Sequence, residues 1–248
     1  MDNGGAFTDR LFAEAKIPQG STALDIGCGG GDITFRLSSA VGAQGRVTGL
    51  DLNGTAIEHA RKRASALDVT NTQFLERDFL EFAQSGAKFD LTTCRRVLMY
   101  LADQSKAAKA FFNLLKPNGI LLLQEHDKTI RLPAPDRPLA DRAQRWIWDT
   151  VKFEGANLGT GFQLQSLLSD AGFREIAISA EAVVETPSQA VKTAEMVRHM
   201  LPRIEAAKVA TAEEIDLATL EERLAIEQAN SKSTSITEIV FGAIARVV

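Results

Sequence analysis

The stretch Ala23-Leu24-Asp25-Ile26-Gly27-Cys28-Gly29-Gly30-Gly31-Asp32 constrains this chain more than any other. Residues 23–26 read as a buried strand, glycines follow at 27, 29, 30 and 31, and an amphipathic run opens at Asp32. Strand, glycine turn and helix start in immediate succession form a ligand-binding device. Glycine permits positive φ and close backbone approach, and the helix start offers free N–H groups at a positive dipole end. The dinucleotide fingerprint G-x-G-x-x-G fails here, because its third glycine position is Asp32. The spacing present is G-x-G-x-G, at Gly27, Gly29 and Gly31, with an acid, Asp25, inside the strand.

After a lead-in helix over 7–16, ended by Pro18, strands and helices alternate. Strands are expected at 22–27, 46–52, 72–76, 89–94 and 120–124. Helices are expected at 33–40, 55–67, 79–83 and 104–115, the last capped by Asp103. Such alternation argues for βαβ units, a parallel sheet and helices on both faces. Ligands then bind beyond the carboxyl ends of the strands, which directs attention to 27–31, 51–53, 78–79, 94–96 and 125–127.

The rhythm changes in the second half. Helices are expected at 137–153 and 162–171, strand six at 173–184 and a final strand at 235–247. Between those strands, Thr186-Pro187-Ser188-Gln189 and Thr211-Ala212-Glu213-Glu214 read as capping boxes. The first opens a helix to about Leu201, which Pro202 breaks or kinks; the second opens one to about 229. The expected organisation is a lead-in at 1–20, a core at 21–184, a helical cap insertion at 185–234 and a closing core strand at 235–248.

The 248 residues, 45% hydrophobic, suffice for one large domain with an inserted subdomain. Lys and Arg number 28 against 32 Asp and Glu, a formal charge of −4, with no Lys/Arg run longer than three. A basic nucleic-acid footprint is therefore not expected. Nor is a membrane span, since apolar runs such as 97–102 and Ile120-Leu121-Leu122-Leu123 are far too short. The N-terminus has no basic region followed by an apolar stretch, and the two cysteines, Cys28 and Cys94, lie at strand ends. Reduced thiols in a cytoplasmic protein are the expectation.

Three acids punctuate the strand ends. Asp51, closing strand two, is placed to accept the hydroxyls of a ribose; its plainer role is a turn residue before Asn53-Gly54. Asp78 can accept an adenine amino group and Phe79 can cover the ring, or the pair can be a helix cap and a core aromatic. Downstream, Phe89-Asp90-Leu91-Thr92-Thr93-Cys94-Arg95-Arg96 and Leu114-Leu115-Lys116-Pro117-Asn118-Gly119-Ile120-Leu121 complete a pattern over residues 20–127. It resembles the class I S-adenosylmethionine-dependent methyltransferases, in particular the group with small-molecule and quinone-biosynthesis enzymes. In that family's L-K-P-G-G-x-L signature, Asn118 stands where Gly is usual, and Asn also tolerates positive φ.

The resemblance implies a Rossmann-like, doubly wound, seven-stranded α/β sheet, mostly parallel with an antiparallel last strand. It implies S-adenosylmethionine as methyl donor. The cofactor-binding set on this reading is Asp25, Gly27, Cys28, Gly29, Asp51, Leu52, Asp78, Phe79, Cys94 and Arg95. No Asp/Asn-Pro-Pro-aromatic motif of the DNA amino-methyltransferases follows strand four, nor the glutamate pair of the protein-arginine enzymes. A small organic acceptor is therefore expected, enclosed by the insertions 128–160 and 185–234. Trp146, Trp148, Met196 and Met200 are candidates to line its pocket, against the plainer reading that they form the insertion's own core. His126, just past strand five, is the candidate general base. A metal is not expected, because His126 and Asp127 alone are not a site. Two rivals stay open: an S-adenosylmethionine-binding protein catalysing another reaction, such as a cyclisation, and a non-catalytic binding or partner subunit. Homo-oligomerisation, the acceptor atom and the use of a base are not legible.

Overall fold

The structure, a computed structural model, describes residues 5–188 and 192–248. Its first half comprises α1 (Gly5–Ala15), β1 (Thr22–Ile26), α2 (Asp32–Val41), β2 (Arg46–Asp51), α3 (Gly54–Ala66), β3 (Thr72–Glu76), α4 (Phe79–Phe82), β4 (Phe89–Arg95), α5 (Gln104–Asn113) and β5 (Leu115–Asp127). There follow α6 (Pro138–Phe153), α7 (Leu164–Ala171), β6 (Arg174–Glu185), α8 (Thr193–Ala206), α9 (Ala212–Ile215), α10 (Leu217–Asn230) and β7 (Ser235–Arg246).

The strands form one seven-stranded sheet in the order β3-β2-β1-β4-β5-β7-β6. β1 to β5 pair in parallel. The last strand is antiparallel, its end hydrogen-bonded to the Asn118-Gly119 turn at 2.8 and 3.1 Å. Because β1 lies between β2 and β4, the order reverses there, and the crevice beyond its carboxyl end is where such sheets bind ligands. Leu24, Ile26, Leu50, Leu91 and Leu121 are fully buried at the sheet centre. Runs of this kind, apolar on both faces, are what a doubly covered parallel strand requires.

The chain divides into two compact units. The first, Met1–His126 with Thr160–Glu181 and Val240–Val248, holds most of the sheet. The lead-in helix belongs to it. Thr8 Oγ1 donates to Gln124 Oε1 at 2.6 Å, and Leu11 and Phe7 pack so closely on Gly242 of β7 that a Cβ there would meet them at 2.7 Å. The second unit, Asp127–Gly159 with Ala182–Ile239, has a core of its own built from Trp146, Ile147, Val197, Met200, Ile204 and Leu220.

Several boundaries differ from the expected ones. Segment 128–159 joins the insertion as one unit, because α6 and α8 share that core. α8 runs through Pro202 to Ala206; the lost N–H bond near its end is outweighed by burial of Val197, Met200 and Ile204. The expected box at Thr186 includes Gln189, which lies outside the described residues. Thr186 and Ser188 instead pair through their hydroxyls at 2.9 Å, and the helix begins at Thr193. The box at Thr211 forms with Glu214, but its helix breaks at Asp216, which takes φ 48°. β5 starts earlier than expected, taking in Lys116-Pro117-Asn118-Gly119 with an irregular register, and Asn118 adopts φ 61°.

Candidate active site

Glycine placement shapes the crevice. Gly27 takes φ 70°, and a Cβ there would meet Val97 Cγ2 at 2.2 Å. The amides of Gly27 and Cys28 donate to the Leu50 carbonyl at 2.8 and 2.9 Å, which ties the turn to the end of β2. Gly29, at φ 50°, faces open space, with nothing within 4 Å of where a Cβ would stand. Its amide donates to Asp51 Oδ2 at 2.8 Å, while Asp51 Oδ1 accepts from the Asn53 amide at 2.8 Å. The glycine turn and the acid closing β2 are thus one hydrogen-bonded assembly. Leu52 beside it is exposed.

Beyond the turn opens a cleft with about 730 Å³ of empty space, walled by Asp25, Gly27, Cys28, Gly29, Gly30, Asp32, Ile33, Arg95 and Arg96. Asp25 is buried in its floor, accepting hydroxyl hydrogen bonds from Thr34 at 2.6 Å and Thr93 at 3.0 Å. Parallel register sets Thr93 opposite Asp25. Burial pushes the Asp25 carboxyl up to about 6, against the pull of those hydroxyls and of Arg95. Burial also pushes the Cys28 thiol far up, helped by Asp25 and Asp51. That thiol stays protonated and serves as a small packing group against Ile57 and Phe74.

Asp78, Phe79, Cys94 and His126 are not among the residues that wall this cleft. Asp78 caps α4, its Oδ1 accepting from the Glu81 amide at 3.0 Å. Phe79 is buried with its ring stacked on Phe111, centroids 5.4 Å apart, so the expected ring cover is a core aromatic. Cys94 is wholly buried at the end of β4, where burial and Glu125 raise its thiol well above the usual range. His126 is 2% exposed, with Nδ1 3.1 Å from Arg96 Nη2; Arg96 lines the cleft and the imidazole does not. In the second unit, Trp146 and Met200 are core residues. Trp148 packs against that core, under the Lys128 ammonium, and donates from Nε1 to Gln144 at 3.1 Å. Met196 is exposed. None of these four walls the glycine-lined cleft; the apolar stripe of α6 and α8 closes the unit's own core.

Glu125 carries a part that the motifs did not single out. It is fully buried, and its Oε1 accepts the amides of Val97 at 3.2 Å and Leu98 at 2.8 Å. It thereby fixes the turn that leaves β4 at the cleft. Burial pushes its carboxyl up to about 7. The available signal was an acid two residues past the apolar run 120–123. No group of three or more His, Cys, Asp or Glu placed to hold a metal occurs among the described residues.

The cleft fits an S-adenosyl amino acid. It offers a bare backbone wall at Gly29, an oriented carboxylate at Asp51, and acid and guanidinium groups together for a zwitterion. Comparison with known proteins decides the family. Residues 17–172 match the family model described as a methyltransferase domain. Demethylmenaquinone methyltransferase of Staphylococcus epidermidis is 34% identical over 182 residues, 68% of this chain and 74% of that one. The chain belongs to the S-adenosylmethionine-dependent methyltransferases. Two solved structures share the fold of this family member across 97% of its length. One is an S-adenosylmethionine-dependent methyltransferase from Aquifex aeolicus, with TM-score 0.57, 17% identity and 89% of that chain covered. The other is the [4+2]-cyclase SpnF, with TM-score 0.60, 20% identity and 80% covered. With several further curated relatives the match spans about half of their length or less.

Proposed function

We propose that this chain transfers a methyl group from S-adenosylmethionine to a small organic acceptor by in-line displacement at the carboxyl ends of β1, β2 and β4. The observation that carries the reading is the Gly29 amide bonded to Asp51. It presents a carboxylate and a bare glycine backbone to one ligand. In this account Asp51 accepts the ribose hydroxyls, Asp78 the adenine amino group, and Asp25 with Arg95 the amino-acid end. When bound, the cofactor supplies an electrophilic methyl carbon. The protein's part is alignment and exclusion of water, which is worth up to ~7–11 kcal/mol in model reactions.

His126 is buried against Arg96, so we assign it to holding that guanidinium at the cleft rather than to proton abstraction. The relative named for demethylmenaquinone supports a small organic acceptor. Two buried free cysteines suit a reducing compartment, and we place the chain in the cytoplasm. No described helix is long and apolar enough to cross a membrane.

Calorimetry with S-adenosylhomocysteine tests the site. The natural protein should bind it, and Asp51→Ala should weaken it by roughly 100-fold or more, since two charge-assisted hydrogen bonds go. Equal affinity in the variant would remove Asp51 from the site.

A further inference from the structure

The second unit contains a cavity of its own, with about 600 Å³ of empty space, and every lining residue belongs to that unit. It shares no residue with the glycine-walled cleft. Its walls come from the loop before α6, from α6 and α10, and from the facing ends of β6 and β7. Pro133, Ala134, Ala140, Leu224 and Ile236 give it an apolar body.

Four ionisable side chains line it: Arg131, Arg137, Asp141 and Glu185. Arg131 is matched by Asp141 at 3.0 Å, and Asp141 also meets Arg145 at 2.9 Å. Arg137 is different. It is 4% exposed, yet no carboxylate lies within 4.0 Å of it among the described residues. Its Nη2 donates to Ser235 Oγ at 2.9 Å and to the main-chain carbonyl of Glu185 at 3.5 Å, and its buried Nε makes no hydrogen bond. The Glu185 carboxyl faces it from beyond 4.0 Å and is held down by its charge, but the guanidinium makes hydrogen bonds only to neutral oxygens, and an incoming anion in direct contact would stabilise it.

We propose that this cavity is a binding site for a small organic monocarboxylate, its carboxylate paired with Arg137 and its carbon body against Leu224 and Ile236. Arg137 suits a carboxylate because the planar fork offers parallel N–H donors. Glu185 is the one lining acid without an ion pair among the described residues; burial raises its carboxyl, against the pull of Arg137 and Lys128. It therefore opposes the ligand less than a solvated acid would.

The test uses the whole chain and matched probes: benzoate, phenylacetate and hexanoate, each against its own amide and the amine of the same skeleton. Binding is read by NMR titration. At least one acid should bind saturably, with its amide and amine at least about tenfold weaker. The shifted amides should include Ala134 and Ile236 rather than 27–31. Arg137→Gln should abolish the preference for acid over amide, and Glu185→Gln should keep or tighten it. Should Arg137→Gln fail to fold, Leu224→Trp, which fills the cavity, must abolish binding instead. The proposal is overturned if no acid binds below roughly 10 mM, a free energy too small for a specific site. It is equally overturned if acids and amides bind alike, if the shifts fall on 27–31, or if the filled cavity still binds.

Discussion

Glu125 shows how a single buried acid organises a site. Its folded value near 7 lies above the usual 4.5, so the folded protein holds a proton that the unfolded chain releases. The contribution is fully present below the unfolded value and is lost as pH rises through the folded one. Glu125→Gln imitates the protonated form and keeps an acceptor for the Val97 and Leu98 amides. The variant should therefore gain on the natural protein by about 3 kcal/mol between pH 4.5 and pH 8. Urea melts at both pH values check this, and a difference that does not change with pH would contradict it. Gly29 is the second test at this scale. Gly29→Val should keep the fold, with strain of about 1–2 kcal/mol from the left-handed φ, and lose S-adenosylhomocysteine, because its side chain enters the open cleft. Full binding by a folded variant would make the turn merely a turn. The placement of Asp25, Asp51 and the glycines around the ends of β1 and β2 was legible because strand-end acids and glycine spacing are local. Phe79 and Glu125 were not, since nothing local tells a core aromatic from a ring cover, or says which amides an acid will meet.

At the scale of elements, helix α6 decides between two uses of an apolar stripe. Trp146, Ile147 and Val151 were readable as a face, and the sequence left open whether that face lines a pocket or closes a core. The structure buries it against α8 and α10. Trp146→Ala should accordingly cost about 3–5 kcal/mol, measured by thermal or urea unfolding. A variant of unchanged stability with a raised KM for the acceptor would return Trp146 to the pocket wall. The strand–helix alternation up to residue 113 was readable to within two residues, because apolar strands and capped amphipathic helices both write short-range patterns. Pro202 misled for the same reason. Local propensity ends a helix there, but Met200 and Ile204 hold the chain helical from both sides through contacts distant in sequence. The break at Asp216 was hidden within a continuous helical pattern.

For the whole molecule, the sheet order puts the glycine turn at the point where strand order reverses, and everything proposed for the first unit follows from that. That segments Asp127–Gly159 and Ala182–Ile239 form one unit was not legible, since they join only through tertiary packing. The central claim is methyl transfer to a small molecule. Incubation with S-adenosylmethionine labelled in its methyl group, together with a protein-free metabolite extract, measures it directly. The account predicts label in a new small-molecule product with the natural protein and none with Asp51→Ala. Label that remains in the donor across such extracts, while the natural protein binds S-adenosylhomocysteine normally, would contradict it.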